Sequence, residues 1–175
     1  MSPRILLSLC LTLLLVMVAS CSQCSEGDER RRPAPTREQF IRYNRHLVRC
    51  DSICIVKYSD SLGLNPQPTP KSLWITIHEH ETGEPLQNGD KISLQYVVTT
   101  LLNDTIYTSA HSGPANLTVG QADLTMGLDE ALRTLHRGDS ATVIVIPEKA
   151  YGFRGDGKAI RGRKILRFDI RILKQ

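Results

Sequence analysis

The stretch from 127 to 152, GLDEALRTLHRGDSATVIVIPEKAYG, constrains the fold of this chain more than any other part of the sequence. Its spacing predicts an amphipathic helix over about 128–135, which Gly138 would end, and then an almost unbroken apolar strand over 141–146. Pro147 ends that strand, and Tyr151 follows the proline closely. We therefore expect a helix, strand and turn that together position Tyr151.

Length and composition favour one folded domain with some additional chain. The 175 residues suffice for a single core, and a hydrophobic fraction of 41% with 23% charged residues is ordinary for a globular protein. A formal net charge of +4 indicates no particular partner, and the chain carries no nucleic-acid-binding motif. We expect no nucleic-acid partner.

Residues 1–21 are predicted to be a targeting segment. Arg4 precedes an apolar run over 5–18 that is short for a membrane span. The run ends in Val18-Ala19-Ser20-Cys21, which is similar to the lipobox of bacterial lipoproteins and makes Cys21 the predicted lipidation residue. Such a chain would be anchored in the inner or outer membrane and face the periplasm. The alternative is an ordinary secretory signal cut near Ser20.

The polar stretch over 22–35 is predicted to be a flexible spacer, and 36–70 an amphipathic helix followed by a proline-rich connection. Thr36 and Gln39 form a capping box at the predicted start of the helix. The predicted apolar stripe consists of Phe40, Leu47 and Cys54 with Ile41, Val48 and Ile55 beside them.

His46, Cys50 and Cys54 repeat every four residues along this predicted helix. Such a row could bind a soft metal, but a stripe of small residues on a buried helix face is the more common reason for it. We therefore predict no metal site there. His78 and His80 share one face of a predicted strand and could bind a metal, but an exposed strand face is favoured because no third ligand lies nearby in sequence.

From residue 71 the apolar period changes to two, which predicts strands over 72–80, 91–102, about 106–107, 117–119 and 165–173, with a loop over 111–115. With the helix and strand of the 127–152 stretch, these predict an α+β domain over 71–175. Its architecture would be a curved antiparallel β-sheet wrapped around one short α-helix, preceded by the N-terminal amphipathic helix.

The residues from Asn88 to Lys174 resemble an FKBP-type peptidyl-prolyl isomerase domain. The resemblance rests on GLDEAL at 127–132, RGD at 137–139, IPEKAYG at 146–152, and the spacing of Tyr96, Tyr107 and Phe168. Together with the lipobox, the chain is similar to the gliding-motility-associated FKBP-type lipoproteins of Bacteroidetes. The resemblance implies a peptidyl-prolyl cis-trans isomerase that needs no cofactor and acts on proline-containing polypeptide clients.

Carried over by position, the resemblance implies that Tyr151, Thr125 and Phe168 are catalytic. Tyr151 would donate its hydroxyl to the substrate carbonyl, and the backbone N–H of Thr125 would bind the adjacent peptide. The remaining implied pocket residues are Tyr96, Tyr107, Leu124, Leu128 and Ile160.

Thr108 stands where the family has a pocket aspartate, which implies reduced activity. The expected function is a foldase for exported proteins. The alternatives are a proline-binding chaperone with weak catalysis and an assembly component of a gliding or secretion machine.

Overall fold

The computed structural model describes residues 34–68, 73–82, 84–121 and 124–174. The predicted signal segment, its lipidation residue Cys21 and almost all of the predicted spacer lie outside these residues. Residues 38–175 belong to one compact unit. None of the helices in the described ranges combines the length and the apolar character that crossing a membrane requires.

Seven strands of the described residues form one antiparallel sheet in the order β1-β2-β6-β7-β3-β4, and β5 also pairs with β3. The last strand therefore lies in the middle of the sheet. The predicted strands are confirmed with ends shifted by a few residues. Their bounds are β1 Gln67–Pro68, β2 Leu73–Glu79, β3 Lys91–Thr100, β4 Thr105–Thr108, β5 Ala115–Thr118, β6 Ser140–Val145 and β7 Leu166–Ile172.

The helices are α1 (Arg37–Ser61), α2 (Ser109–Ser112) and α3 (Met126–Leu132). The N-cap of α3 is Thr125, whose side chain accepts a hydrogen bond from the N–H of Leu128. The helix ends at Leu132, earlier than predicted, and Gly138 with its φ of 96° lies beyond it in the turn before β6. The short helix α2 occupies part of the region predicted as a loop. Thr108 is its N-cap and stabilises its first turn.

The short helix α3 packs on one face of the sheet, here called the inner face. Successive strand residues point to opposite faces, so Leu73, Val143 and Phe168 lie on the inner face with α3 residues such as Leu132. A Cβ atom at Gly127 would come within 2.3 Å of Val145 Cγ1, so glycine permits the close approach of α3 to β6. The predicted α+β fold, with a curved sheet wrapped around a short helix, is confirmed.

The long helix α1 packs on the opposite, outer face, where Ile55 joins Trp74, Ile144 and Ile146 in a second apolar cluster. The predicted stripe is only partly correct, because its residues Ile55 and Val48 pack in this cluster while others are exposed. The buried residues of α1 are Asp51, Ile55 and Ser59, whereas the Phe40 side chain is 54% exposed and Cys54 is exposed too. The outer face buries a narrower and more polar row of α1 than the apolar pattern alone indicates.

The buried-stripe interpretation of His46, Cys50 and Cys54 is wrong. Both cysteines are free thiols on the exposed side of α1. Cys50 Sγ lies 3.6 Å from His46 Nε2. The row therefore does not pack against the sheet.

Candidate active site

A cavity of about 450 Å3 is lined by residues of the sheet, of α3 and of the segment after β6. Most of the pocket residues expected from the sequence line it. They are Tyr96 and Tyr107 from β3 and β4, Leu124 and Leu128 at α3, Tyr151 after β6, and Phe168 from β7. The fold thus brings together aromatic and aliphatic side chains from distant parts of the chain.

The other two expected residues, Thr125 and Ile160, adjoin the cavity without being among the described residues that line it. Thr125 is the N-cap of α3 and lies between Leu124 and the helix. Ile160 is 3% exposed and packs within the apolar cluster of the inner face. Their proposed roles are therefore a backbone donor beside the pocket and a packing residue beneath it.

Tyr151 is positioned by the tight turn that follows β6. Pro147–Lys149 forms one turn of 3-10 helix, and the N–H of Gly152 donates to the carbonyl of Pro147 at 2.7 Å. Lys149 Nζ lies 2.6 Å from Glu130 Oε2, which ties this turn to α3. Within the described part of the chain, no residue forms a hydrogen bond with the Tyr151 hydroxyl. That hydroxyl is therefore available to a ligand in the cavity.

Asp156 brings a carboxylate to the cavity. One of its oxygens accepts a short hydrogen bond from the Tyr107 hydroxyl, and the other accepts the N–H groups of Lys158 and Ile160 at 2.8 and 2.9 Å. These bonds, led by that from Tyr107, lower the pKa of Asp156. The same contact raises the pKa of Tyr107. At neutral pH the site therefore holds an ionised carboxylate and a neutral phenol.

Burial raises the pKa of Tyr151, and the negative charge of Asp156 raises it further. The ordinary pKa of a tyrosine is about 10, so this hydroxyl keeps its proton throughout the neutral range. Tyr151 is consequently a donor at any physiological pH.

Thr108 lies outside the described lining of this cavity and lines a different one with His78 and Asp169. Its Oγ1 accepts a hydrogen bond from the N–H of Ala110 at 3.2 Å and so caps α2. Tyr96 reaches α2 as well, with its hydroxyl 3.0 Å from Ser112 Oγ. The carboxylate of this pocket comes from the loop after β6, on Asp156.

The loop over 151–165 is held closed by backbone contacts and by α1. A Cβ atom at Gly155 would come within 2.0 Å of the Ile160 carbonyl oxygen, so the two strands of the loop touch there. Arg163 donates its N–H to the Gly152 carbonyl at 2.8 Å, and its guanidinium binds both carboxylate oxygens of Asp51 at 2.7 Å. The helix on the outer face thus braces the loop that carries Tyr151.

Sequence reasoning missed several residues that line the cavity. Those on the inner face of the sheet resemble ordinary core residues in the sequence, and the two charged ones lie in a loop whose only signal is its Gly-Asp-Gly turn. The loop was recognisable as a turn, but its approach to Tyr107 was not. The missed residues are Leu94, Val98, Ala115, Leu117, Asp156 and Lys158.

The basic residues between 154 and 171 do not form one cluster at the pocket rim. Lys158 lines the cavity. Arg163, Arg167 and Arg171 instead pair with Asp51, Asp169 and Glu79. Arg167 and Arg171 are four residues apart on β7 and so lie on its outer face, whereas Lys158 and Arg163 lie in the loop before that strand.

Sequence comparison agrees with this geometry. The family model described as FKBP-type peptidyl-prolyl cis-trans isomerase matches residues 82–173. Peptidyl-prolyl cis-trans isomerase Fkbp12 of Drosophila melanogaster is 33% identical over 90 residues, which cover 50% of this chain and 82% of that protein. FK506-binding protein 2 of Dictyostelium discoideum is 28% identical over 88 residues, covering 50% of this chain and 66% of that protein.

Solved structures share the fold. The crystal structure of AtFKBP13 superimposes with a TM-score of 0.57 at 24% identity, over 61% of this chain and 95% of that one. The crystal structure of FkpA from Escherichia coli gives a TM-score of 0.63 at 18% identity, over 78% of this chain and 63% of that one. With a family match over more than half of its length, this chain belongs to the FKBP-type peptidyl-prolyl cis-trans isomerase family.

Proposed function

We propose that this protein catalyses cis-trans isomerisation of X-Pro peptide bonds in polypeptide clients. The observation that carries the proposal is the hydroxyl of Tyr151, which lines an apolar cavity and has no hydrogen-bond partner among the described residues. A donor held at the edge of an apolar pocket suits a proline ring together with its preceding carbonyl.

The chemistry is rotation about a bond, which requires no covalent step. Rotation must interrupt amide resonance, with a barrier of about 18–20 kcal/mol in water. The twisted amide is less polar than the planar one, so an apolar cavity stabilises it relative to the ground state. A fixed donor that holds the substrate carbonyl adds to this preference.

Each residue then has a defined role. Phe168, Leu128 and Leu124 supply apolar contacts to the proline ring, and Tyr96 with Tyr107 forms the opposite wall. Tyr151 donates to the carbonyl, while the backbone N–H of Thr125 binds the adjacent peptide. Asp156 fixes the Tyr107 ring through its hydroxyl.

A protease-coupled isomerisation assay on the full chain tests this assignment. Tyr151→Phe removes one donor, and we expect kcat/KM to fall about tenfold, the usual worth of a well-placed hydrogen bond. Tyr43→Phe makes the same chemical change on the exposed side of α1 and should leave the rate unchanged. Equal rates for Tyr151→Phe and the wild type would refute the proposed role of Tyr151.

A second candidate is a proline-binding chaperone with weak catalysis, which rests on the expectation that Thr108 replaces the family's pocket aspartate. Thr108 caps α2 and supplies no carboxylate. In that case the wild type would bind a proline-containing peptide without accelerating its isomerisation. Fluorescence anisotropy with a labelled peptide, run beside the isomerisation assay, separates the two candidates.

The cellular setting is proposed from the sequence. Cleavage at the Val18-Ala19-Ser20-Cys21 lipobox would leave Cys21 as a lipidated N-terminus and place the isomerase at the periplasmic side of the inner or outer membrane, where exported proteins fold. Mass spectrometry of the mature N-terminus tests this, with Cys21→Ser as the non-lipidated control. An unmodified wild-type Cys21 would refute the anchor.

A further inference from the structure

His80, His136 and Asp139 form a cluster at the end of the sheet. Glu79 of β2 pairs with Ser140 of β6, so His80, just after β2, meets the turn that precedes β6. His136 and Asp139 lie in that turn. None of the three is among the described residues that line the Tyr151 cavity, so the cluster is separate from the candidate active site.

The spacing of the three ligand atoms suits a tetrahedral metal. Asp139 Oδ2 lies 3.3 Å from His80 Nδ1 and 3.4 Å from His136 Nδ1, and the three atoms are within 4.8 Å of one another. Zinc bonds to nitrogen and oxygen of about 2.0–2.1 Å give a tetrahedral edge of about 3.4 Å. Two of the three edges therefore have the required length, and the third, between the two imidazole nitrogens, is no longer than 4.8 Å.

Both imidazoles are within hydrogen-bond distance of Asp139 Oδ2, but at 3.3 and 3.4 Å these hydrogen bonds are long. Hydrogen bonds from a charged nitrogen to a carboxylate are usually about 2.7–2.9 Å long. Both imidazoles instead approach one oxygen from further away, and their ring centroids are only 4.6 Å apart.

Backbone hydrogen bonds fix the Asp139 carboxylate without a metal. Asp139 is fully buried, its Oδ1 accepts the N–H of Glu81 at 2.7 Å, and its Oδ2 accepts the N–H of His136 at 2.8 Å. The His136 side chain is 17% exposed and that of His80 is 54% exposed, so one side of the cluster is open to solvent. The cluster thus combines a fixed carboxylate, a mostly buried imidazole and an exposed imidazole. A metal ion can therefore reach it from solvent.

We propose that His80, His136 and Asp139 bind Zn2+, with the fourth position left to solvent. Imidazole and carboxylate donors in this arrangement suit zinc, whereas Mg2+ prefers oxygen ligands in an octahedron. The bound ion joins the end of β2 to the turn before β6 and stabilises this end of the sheet. Glu81 is engaged with Lys174 Nζ at 2.8 Å and is not a ligand in this arrangement.

The test uses the full chain without a histidine tag and with its five cysteines replaced by serine, because exposed thiols such as Cys50 bind zinc themselves. Isothermal titration with ZnCl2 should show one site. Saturating Zn2+ should raise Tm by about 5 °C, whereas Mg2+ should not.

His80→Ala should weaken zinc binding by at least about 100-fold and remove the Tm shift. The matched control is His78→Ala, two residues earlier on the same strand, where His78 Nε2 lies 2.8 Å from Thr142 Oγ1. The control should bind zinc like its parent. Absence of zinc binding in the parent, unchanged binding in His80→Ala, or equal loss in His78→Ala would each overturn the proposal.

Discussion

The inner face of the sheet, which packs on α3, is closed by apolar side chains, whereas the outer face combines a small apolar cluster with charged and polar pairs to α1. On the inner face Leu132, Val143 and Leu166 are fully buried. On the outer face Ile55 and Trp74 lie beside the pair of Asp51 with Arg163. The first face holds the domain together, and the second attaches α1 to the loop that carries Tyr151.

The difference indicates that the two faces tolerate change differently. Truncating a packed apolar side chain lowers the free energy of unfolding in proportion to the cavity that it leaves. Removing one member of an ion pair lowers the free energy of unfolding, because the remaining charge is left unpaired in a partly buried position. Damage to the inner face should therefore unfold the whole domain, and damage to the outer face should first release α1.

The largest expected effect is Leu132→Ala in α3. The side chain is fully buried against the inner face, so its loss should cost about 3–4 kcal/mol of unfolding free energy. Urea denaturation followed by circular dichroism measures this. Leu102→Ala, where the side chain is 81% exposed, is the control and should change the free energy by less than about 0.5 kcal/mol.

Asp51→Asn should cost about 2 kcal/mol, because it removes the negative charge whose two oxygens both accept a hydrogen bond from Arg163 Nη2. The chain's single tryptophan, Trp74, packs with Ile55 under α1 and reports on this contact. Its emission should shift to longer wavelength at urea concentrations that leave the sheet intact.

Arg163→Lys tests the geometry of the same contact, since lysine keeps the charge but cannot bind Asp51 through one nitrogen and Glu148 through another, as the guanidinium does. It should therefore resemble Asp51→Asn rather than the wild type. Coincident unfolding of Trp74 and the sheet in both variants would contradict the idea that α1 separates first.

The two faces also differ in how far the sequence predicts them. The alternating strands and the GLDEAL helix repeat with the periods of their structures, so the inner face could be predicted, whereas the expected cavity residues came from the family resemblance. The outer face could not, because Asp51 meets Arg163 across 112 residues, and the apolar residues of α1 favoured a different stripe. Asp156 was missed for the same reason, since its partner Tyr107 lies 49 residues away.

Asp156→Asn tests the carboxylate of the inner-face pocket. Its pKa is lowered in the folded protein, so the carboxylate stabilises the fold above its unfolded pKa of about 3.9. That contribution is lost as the pH falls through the folded pKa. The stability difference between wild type and variant should be constant above about pH 5 and shrink below about pH 4.

Urea unfolding at several pH values measures this difference. In a Tyr107→Phe background the hydrogen bond that mainly lowers the pKa of Asp156 is absent. The effect of Asp156→Asn on stability should then depend less on pH. The pKa of Tyr151, followed by its ultraviolet absorbance, should fall in Asp156→Asn because a nearby negative charge is removed. An unchanged Tyr151 titration would show that the two groups are not coupled in the pocket.

The smallest expected effect is Arg171→Ala on the outer face. Arg171 pairs with Glu79 at 2.9 Å, but the two side chains are 47% and 59% exposed, so solvent screens the pair. We expect a change of less than about 0.5 kcal/mol, further reduced by salt. In Asp51→Asn, by contrast, the loss of unfolding free energy should persist at high salt, because the Asp51 and Arg163 side chains are only 11% and 26% exposed. Comparable losses in both variants would mean that burial of the charges does not set the strength of these pairs.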